Sequence, residues 1–399
     1  MVRPTRAIVD LGAIEANLLA IKALLGAPGA ADPRTTDRAP RAPRSPHPTP
    51  RVIAVVKANA YGHGASAVGL ALERAGADML ACADIEEGIV LRKAGVQIPI
   101  LVFGALGISD LDGVFEFDLT PTISTPSAAR ALAAASQKHV ASAFRRKYPL
   151  HCHLKIDTGM NRLGFRHDNL ERTLPEIAAS PHLAIDAVYT HFATADEPEH
   201  PAFAQQRERF EKACATIAAL GIRPTWRHAA NSAALLRDER VWYDFVRPGI
   251  LLYGIVPPPL SSTLALRPAL SLHSRIVHVK GMRPGEGTGY GLRTVVDQPS
   301  TIAVVPAGYA DGLDRRLAGR GYMLVRGRRV PVVGSVCMDM TTIDVTGLDV
   351  STGDEVVIVG GQGAESIGMR EVAAAIGTIP YELLCRVGTR IERIYDPEP

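Results

Sequence analysis

The sequence has few cysteines, and their spacing suits neither a disulfide framework nor a metal site. Its five cysteines (Cys82, Cys152, Cys214, Cys337 and Cys385) are scattered, odd in number and free of any CxxC pair. We therefore expect no bound metal ion and no structural disulfide. A reducing cytoplasm is the compartment that this pattern fits best.

Long apolar runs are also missing. No run is long enough to span a bilayer, and the N-terminal segment MVRPTRAIVDLGAIEANL lacks the uninterrupted apolar stretch of a secretory signal. The charges nearly cancel, with 44 lysines and arginines against 41 aspartates and glutamates, which gives no support to nucleic-acid binding. We expect a soluble globular protein with neither a membrane nor a nucleic acid as its partner.

Lysine is scarce, since only eight of the 44 basic residues are lysines. One of them, Lys57, stands in VVKANAYGHG (55–64), directly after an apolar run that does not alternate with polar residues. Such a run is typical of a strand buried on both faces. Burial lowers the pKa of a lysine, so Lys57 is a candidate nucleophile or base, most often used as a Schiff base with a carbonyl or with pyridoxal phosphate. A lysine that reaches solvent from a strand end is the alternative.

The first half of the chain alternates predicted strands with helices. Residues 11–25 have apolar residues at helical spacing after Asp10, a plausible N-cap. Residues 27–50 contain seven prolines and four arginines and predict a disordered insertion, with a basic docking segment as the alternative. The predicted strands follow at 51–58, 77–84, 99–104, 119–125, 150–158, 183–192, 225–232 and 244–254.

Eight such strands separated by helices predict a (β/α)8 barrel. An open doubly wound sheet is the alternative, but no GxGxxG turn follows the first strand. The proline-rich VPPPLSS (256–262) then predicts a linker, and short β runs follow it, with one helical stretch near 369–377. We expect an α/β TIM-like barrel over residues 1–262, followed by a mostly-β C-terminal domain over residues 263–399.

Polar residues cluster at the predicted carboxyl ends of the barrel strands, where barrel enzymes place their chemistry. These ends carry Lys57, Lys155, Asp157, Arg162, His191, Asn231 and Ser232, whereas Arg247 and Gly249 fall within the last predicted strand, 244–254. The loops after the last two strands of such barrels commonly hold a phosphate through backbone N–H groups and a hydroxyl. The Asn231–Ser232 and Gly249–Ile250 pairs therefore predict a phosphate pocket beside Lys57.

These motifs resemble those of the alanine racemases, a family of bacterial pyridoxal-phosphate enzymes. VVKANAYGHG is similar to the family's cofactor-attachment motif, and the resemblance keeps its order along almost the whole chain. It continues through KIDTGMNRLGF (155–165), YTHFATADE (189–197), HAANSAA (228–234), VRPGILLYG (246–254), GYADG (308–312), GSVCMDM (334–340) and IPYELLCRVGTR (379–390). The long insertion and Asn161, where the family more often has glycine, depart from the pattern.

The resemblance implies a homodimer that racemises alanine with pyridoxal 5′-phosphate and supplies D-alanine for peptidoglycan. It implies that Lys57 binds the cofactor and is one catalytic base, and that Tyr290, in GTGYGLRT, is the opposing base from the second subunit. Arg247 would face the pyridine nitrogen, with His191 linking it to the tyrosine. The cofactor-binding positions would be Tyr61, Asn231, Ser232, Gly249, Ile250 and Tyr381, the substrate-binding positions Arg162, Tyr309 and Met338, and Lys155 the lysine often carbamylated in the family.

Three other functions remain open on these residues. A racemase of broader amino-acid specificity and a basic amino-acid decarboxylase would use the same barrel and the same lysine. A non-catalytic pyridoxal-phosphate carrier would also share the barrel, although such carriers generally lack the C-terminal β domain. Exchange of the Cα hydrogen in deuterated water distinguishes these alternatives.

Overall fold

The structure is a computed structural model and describes residues 4–26, 49–106, 111–142 and 149–396. Residues 27–48, which make up most of the insertion predicted at 27–50, lie outside the described residues. The disorder of this insertion therefore stays a prediction. None of the helices in the described ranges has the length and apolar character needed to cross a membrane.

Eight parallel strands close into the predicted barrel. The strands before residue 254 are β1 (Arg6–Asp10), β2 (Arg51–Val55), β3 (Met79–Cys82), β4 (Ile100–Val102), β5 (Thr120–Ile123), β6 (Leu150–Asp157), β7 (Phe165–Arg166), β8 (Leu183–Tyr189), β9 (Trp226–Asn231) and β10 (Phe245–Arg247). The barrel order is β2-β3-β4-β5-β6-β8-β9-β10, and β10 returns to β2 with Phe245 opposite Arg51. The predicted closed barrel is confirmed.

Helices surround this barrel between successive strands. They are α1 (Leu11–Gly26), α2 (Lys57–Tyr61), α3 (Ala65–Arg74), α4 (Ile85–Lys93), α5 (Asp112–Glu116), α6 (Pro126–Ser142), α7 (Leu170–Thr173), α8 (Pro175–Ala178), α9 (Ala202–Ala219) and α10 (Ser232–Arg237). Short 3₁₀ turns follow at Glu239–Val241 and Ile250–Tyr253. The last barrel strand is shorter than the predicted 244–254, because Pro248 has no N–H to donate and the Ile250 turn begins just after it.

Helix α1 begins where the sequence predicted, since the Ala13 N–H donates to Asp10 Oδ1 across 2.6 Å. It packs against the 3₁₀ turn that follows β10 and against α3. Asn17 joins it to that turn by donating from Nδ2 to the Leu252 carbonyl oxygen over 3.0 Å. The N-terminal helix therefore covers the position that a helix after the eighth strand would occupy.

The second sheet has ten strands and fills most of the C-terminal half. Its members are β1 together with β11 (Leu270–Arg275), β12 (His278–Met282), β15 (Ser300–Val305), β16 (Tyr322–Val325), β17 (Arg328–Val333), β18 (Thr341–Asp344), β19 (Glu355–Gln362), β20 (Glu365–Ile367) and β21 (Glu392–Asp396). A two-stranded hairpin, β13 (Gly287–Thr288) and β14 (Thr294–Val295), stands apart from it. The predicted mostly-β C-terminal domain is confirmed.

Strand β1 was not expected in that sheet. It lies between β11, to which it is antiparallel, and β21, to which it is parallel. Ala7 and Val9 are fully buried there. Residues Arg6–Asp10, which fall inside the predicted barrel segment 1–262, therefore hydrogen bond with C-terminal strands, while the division at residue 262 stays a prediction.

Two helices complete the C-terminal half. The predicted helix near 369–377 is present as α11 (Met369–Ile376), and α12 (Pro380–Arg386) follows it. Short 3₁₀ turns lie at Tyr290–Leu292, Tyr309–Asp311 and Arg315–Leu317. Helix α12 packs on α2, the turn that carries Lys57, so the C-terminal half covers one side of the barrel mouth.

Candidate active site

Four basic side chains form a cluster at the carboxyl end of the barrel. This basic cluster consists of Lys57, Lys155, Arg162 and Arg247. Burial lowers the pKa of Lys57, and the Arg162 and Arg247 guanidinium groups lower it further. Burial, Arg247 and Arg162 lower the pKa of Lys155 to about 8. The basic cluster is therefore electrostatically suited to an anion, such as a carboxylate or a phosphate.

The segment after Lys57 turns in the left-handed direction. Ala58, Asn59, Ala60 and Tyr61 have φ values of 54°, 54°, 55° and 51°. This conformation costs a residue with a Cβ about 1 kcal/mol. Gly62 and Gly64 also have positive φ, but the left-handed backbone begins four residues before the first of these glycines. We infer that side-chain contacts hold it.

Side chains of three residues stabilise this turn. Glu87 Oε1 accepts from the Ala58 N–H over 2.6 Å, and Asn59 Oδ1 accepts from the Ala65 N–H over 2.8 Å. His63 Nδ1 lies 3.0 Å from the Ala60 carbonyl oxygen and 2.9 Å from that of Tyr61. Both neighbours are acceptors, so Nδ1 carries the proton of this buried ring. These hydrogen bonds therefore fix the backbone from which the side chains of Lys57 and Tyr61 project.

The residues predicted to bind phosphate lie together beside Lys57. The Gly249 N–H donates to the Ser232 hydroxyl oxygen over 2.9 Å. A Cβ at position 249 would lie 2.4 Å from the Tyr61 hydroxyl, so only glycine allows this approach. The Tyr61 ring lies 6.0 Å from the Tyr381 ring, and burial raises the pKa of both tyrosines above the ordinary value. Their hydroxyls thus stay protonated and can donate to an anion.

Asn231 and Ile250 border this group in different ways. Asn231 caps α10, because its Oδ1 accepts from the Ala234 N–H over 2.9 Å. Ile250 is fully buried and begins the 3₁₀ turn after Gly249. Asn231 therefore sets the start of α10, and Ile250 presents its backbone at the end of the last barrel strand.

Arg247 is almost completely buried, yet its guanidinium has no carboxylate partner among the described residues. Its Nη2 donates to the carbonyl oxygens of Thr190, over 2.7 Å, and Ala229, over 3.0 Å. The same nitrogen lies 3.3 Å from His191 Nδ1, and Nη1 lies 2.8 Å from His228 Nδ1. Burial lowers the pKa of Arg247 to about 10, so the group remains a cation at neutral pH.

The loop that carries Arg162 is ordered by one carboxylate. Asp157 Oδ1 accepts from the N–H groups of Gly159 and Asn161, each over 3.0 Å. Asn161 has a φ of 56°, a conformation that asparagine tolerates better than most residues with a side chain. The backbone of this loop can therefore accommodate asparagine at position 161, where the family more often has glycine. Arg162 itself is exposed.

The predicted site residues of the C-terminal half are exposed within the single chain. Tyr290 is 78% exposed, Met338 52% and Tyr309 43%. Tyr309 and Met338 lie on adjoining loops, since the Ala310 N–H donates to the Met338 carbonyl oxygen over 3.1 Å. An aromatic ring as exposed as that of Tyr290 contacts little of its own chain. A buried catalytic base, by contrast, is held in place by contacts with the residues around it.

The alanine racemase N-terminal domain model matches residues 41–257, and the alanine racemase C-terminal domain model matches residues 269–395. A relative named alanine racemase from Symbiobacterium thermophilum is 40% identical over 398 residues, which cover 99% of this chain and 98% of the relative. The chain belongs to the alanine racemase family. The resemblance that the sequence motifs indicated is thereby confirmed.

Other members of the alanine racemase family agree with this assignment. The alanine racemase of Carboxydothermus hydrogenoformans is 43% identical over 86% of this chain and 91% of its own. The solved alanine racemase of Streptomyces lavendulae is similar with a TM-score of 0.89 and 32% identity, covering 99% of this chain and 97% of its own. The Bacillus anthracis alanine racemase, solved with bound L-Ala-P, has a TM-score of 0.84 and 35% identity, covering 99% of this chain and 95% of its own. The predicted enzyme class, an amino-acid racemase among the isomerases, is confirmed by this membership.

Two buried histidines of the site were missed in the sequence. His153 and His228 lie inside the barrel below Arg247, with His228 Nε2 3.0 Å from His153 Nδ1. The spacing of His153 could have revealed its place, because it stands two residues before Lys155 in β6 and so points to the same face of the strand. The four-residue spacing from His228 to Ser232 did not indicate in the same way that His228 belongs to the site.

Proposed function

We propose that the chain interconverts L-alanine and D-alanine with pyridoxal 5′-phosphate. In this proposal Lys57 and Tyr290 of the partner subunit exchange the Cα proton from opposite faces. The observation that carries it is the half-buried amine of Lys57, whose pKa is lowered, within the basic cluster at the barrel mouth. The alternatives, a racemase of broader specificity and a carrier without activity, would share that amine and are separated by the experiment below.

The residues at the mouth fit pyridoxal 5′-phosphate. An amine with a lowered pKa is more often unprotonated, as attack on a carbonyl requires. Ser232, the Gly249 backbone and the Tyr61 hydroxyl lie together, because the absence of a Cβ on Gly249 lets the Tyr61 hydroxyl approach its backbone closely. We assign these groups, with Asn231, Ile250 and Tyr381, to the cofactor. When bound, pyridoxal 5′-phosphate withdraws electrons from the substrate Cα and makes its proton acidic.

Arg247 is the residue that we assign to the pyridine nitrogen. A guanidinium can only donate hydrogen bonds, and Arg247 stays protonated at neutral pH. It therefore disfavours a proton on any nitrogen that it faces. We infer that this limits delocalisation of charge away from Cα, which favours return of a proton to Cα over transamination.

Racemisation removes the Cα proton on one side and returns a proton on the other. One base cannot readily serve both faces of a substrate in a closed site, so a second base is needed opposite Lys57. Tyr290, which is 78% exposed, is free to enter a mouth formed by another chain. We propose that His191, which accepts from Arg247 at Nδ1 and so carries its own proton on Nε2, holds a hydrogen bond toward Tyr290 of the partner subunit.

We assign the substrate carboxylate to Arg162, Tyr309 and the Met338 backbone. Arg162 is exposed at the mouth and lowers the pKa of both lysines of the basic cluster, which places its charge near them. Lys155 is buried and has a pKa of about 8. We propose that its neutral amine is carbamylated, because a carbamate anion there would orient Arg162 and relieve the crowding of positive charge.

A second copy of this chain is the partner that we propose. Large apolar side chains are exposed on the β13–β14 hairpin and on the loop beside it, namely Tyr290, Leu292, Val295, Met338 and Met340. Several large apolar side chains exposed on neighbouring segments are typical of a protein interface. We further propose that the homodimer works in the cytoplasm and supplies D-alanine for peptidoglycan.

Hydrogen exchange at Cα tests the proposed activity. The protein, loaded with pyridoxal 5′-phosphate, is incubated in deuterated water with L-alanine, L-lysine or L-serine. Exchange is followed by NMR and the enantiomers by chiral chromatography. We expect L-alanine to exchange and racemise together, and faster than the other two. Equal rates for all three would support a broad-specificity racemase, loss of carbon dioxide a decarboxylase, and no exchange a carrier, and each of these results would overturn the proposal.

A further inference from the structure

A chain of hydrogen-bonding rings runs from the guanidinium of Arg247 into the barrel interior. Arg247 Nη1 lies 2.8 Å from His228 Nδ1, and His228 Nε2 lies 3.0 Å from His153 Nδ1. The exposed fractions of the three side chains are 3%, 0% and 1%. The Tyr189 ring stacks on His228 at 4.6 Å with an angle of 9° between the planes. The rings are therefore fixed in a dry environment.

The guanidinium dictates which nitrogen of each ring carries a proton. Arginine can only donate, so His228 Nδ1 must be an unprotonated acceptor. A histidine that is unprotonated at Nδ1 carries its single proton on Nε2, and His228 Nε2 therefore donates to His153. His153 Nδ1 is then an acceptor in turn, which leaves its own proton on Nε2. Both rings are neutral Nε2–H tautomers.

Loss of the acceptor nitrogen of either histidine would weaken the hydrogen bonds that hold Arg247. If His228 turned to the Nδ1–H tautomer, its N–H would face the N–H of Arg247 at 2.8 Å, which is a repulsive contact. If His153 offered no acceptor, the Nε2–H of His228 would be a buried donor without a partner, and burying such a donor is unfavourable. Burial and Arg247 also lower the pKa of both rings, that of His153 to about 3, so neither ring takes up a second proton near neutral pH.

We propose that His153 is a positioning residue for Arg247. By accepting from His228 Nε2, His153 fixes the tautomer and rotation of His228, whose Nδ1 then holds Nη1 of the guanidinium. The carbonyl oxygens of Thr190 and Ala229 hold Nη2. The plane of the guanidinium is thus set from two sides, and His153 controls one of them without contacting the mouth.

The tautomers can be measured on the cofactor-free protein. Histidine labelled with ¹⁵N is introduced, and the imidazole nitrogens are assigned with single variants. We expect both His228 and His153 to show unprotonated Nδ1 and protonated Nε2 from pH 6 to 9. A protonated Nδ1 on His228 would overturn the proposal, and this measurement depends on neither cofactor nor substrate.

Two variants then test whether the acceptor matters rather than the volume. His153→Asn places a carbonyl oxygen near the position of Nδ1, whereas His153→Leu fills similar space with no acceptor. We expect the His228 signals to be kept in His153→Asn and to shift or broaden in His153→Leu. Cys152→Ala is the control, since Cys152 is a fully buried neighbour on the same strand that faces the opposite side, and it should leave the His228 signals unchanged.

The effect on racemisation rests on the proposed function and is read separately. We expect kcat to fall about tenfold in His153→Leu and by less than about twofold in His153→Asn, with KM nearly unchanged in both. Equal losses in the two variants would show a packing role only and would overturn the proposal. The expected tautomers in a protein that does not racemise alanine would contradict the proposed function while supporting the positioning of Arg247 by His153.

Discussion

The Tyr61 hydroxyl lies directly over Gly249, so close that a Cβ on residue 249 would be 2.4 Å from its oxygen. The same glycine donates its N–H to Ser232. The contact joins the turn after the first barrel strand to the end of the eighth, across the seam where the barrel closes. Both residues belong to the group that we assign to the cofactor phosphate, so their distance should control cofactor affinity.

We expect Gly249→Ala to weaken binding of pyridoxal 5′-phosphate about tenfold. The new methyl group must displace the Tyr61 ring or the backbone, and such overpacking costs about 1–3 kcal/mol. Binding is measured by absorbance titration of the cofactor-free protein. Gly281→Ala is the matched control, because a Cβ at 281 meets no atom within 4 Å. Unchanged affinity in Gly249→Ala would contradict the assignment of this seam to the phosphate.

We expect Lys57→Ala to abolish both racemisation and the long-wavelength absorbance of bound pyridoxal 5′-phosphate. Lys57 is the half-buried lysine whose pKa is lowered by burial and by Arg162, and a covalent link to the cofactor requires its amine. Lys212→Ala, at an exposed position of α9, is the control and should change neither property. An absorbance spectrum in Lys57→Ala that matches the wild type would place the attachment elsewhere.

The buried amine of Lys155 makes the stability of the protein depend on pH. Its folded pKa is about 8, whereas the pKa of a lysine in the unfolded chain is about 10.4. Between these values the unfolded chain binds a proton that the folded chain has lost, so the free energy of unfolding rises with pH, by about 3 kcal/mol in total. Below pH 8 the folded protein carries the full cost of the buried cation.

Lys155→Met should therefore be more stable than the wild type at pH 7, and this advantage should vanish as the pH rises above about 10. Chemical unfolding is followed in buffers freed of carbon dioxide, because a carbamate would change the charge. Lys212→Met controls for loss of an exposed lysine. A stability difference independent of pH would show that the change in packing, not the charge, decides it.

Carbamylation itself is tested with ¹³C-labelled bicarbonate. The neutral amine attacks carbon dioxide, a nitrogen–carbon bond forms, and one proton is released to water. We expect a carbamate ¹³C signal in the wild-type protein that is lost in Lys155→Gln and kept in Lys280→Gln, whose lysine is exposed. A signal that persists in Lys155→Gln would assign the modification to another lysine.

The barrel could be predicted from the sequence because its strands are local and unmistakable. A strand such as β2, buried along most of its length, must be apolar throughout, and RVIAV shows this directly. Strand β1 could not be assigned to its sheet, because RAIVD is a short alternating run whose partners β11 and β21 lie more than 250 residues away in the chain. Only the folded structure brings Arg6 opposite His273 and beside Glu392.

Some features of the site could likewise be predicted from the sequence, and others could not. Lys57, Lys155 and Arg247 could be placed at the barrel mouth, because the carboxyl ends of parallel strands meet there. The left-handed backbone at Ala58 could not be predicted, since alanine has no preference for positive φ and the conformation depends on Glu87 from a distant helix. The histidine pair beneath Arg247 likewise depends on register between strands, which no single stretch of sequence contains.

Tyr290 gives the sharpest prediction about how two chains share a site. We expect Tyr290→Phe to keep the cofactor absorbance and to lose racemisation by about 10²- to 10⁴-fold, the usual contribution of a general base or acid. Abstraction from L-alanine should suffer most. Tyr322→Phe, which changes another exposed tyrosine of the same domain, should keep full activity. Full activity in Tyr290→Phe would refute the two-base assignment.

Mixed dimers then show from which chain Tyr290 acts. Lys57→Ala and Tyr290→Phe subunits are each inactive as homodimers in this proposal. A mixed dimer has one mouth with both defects and one mouth that combines an intact Lys57 with Tyr290 of the partner subunit. After unfolding and refolding together in equal amounts, the mixture should therefore recover roughly a quarter of wild-type activity. If Tyr290 served the mouth of its own chain, every site in the mixture would lack one base, and no activity would return.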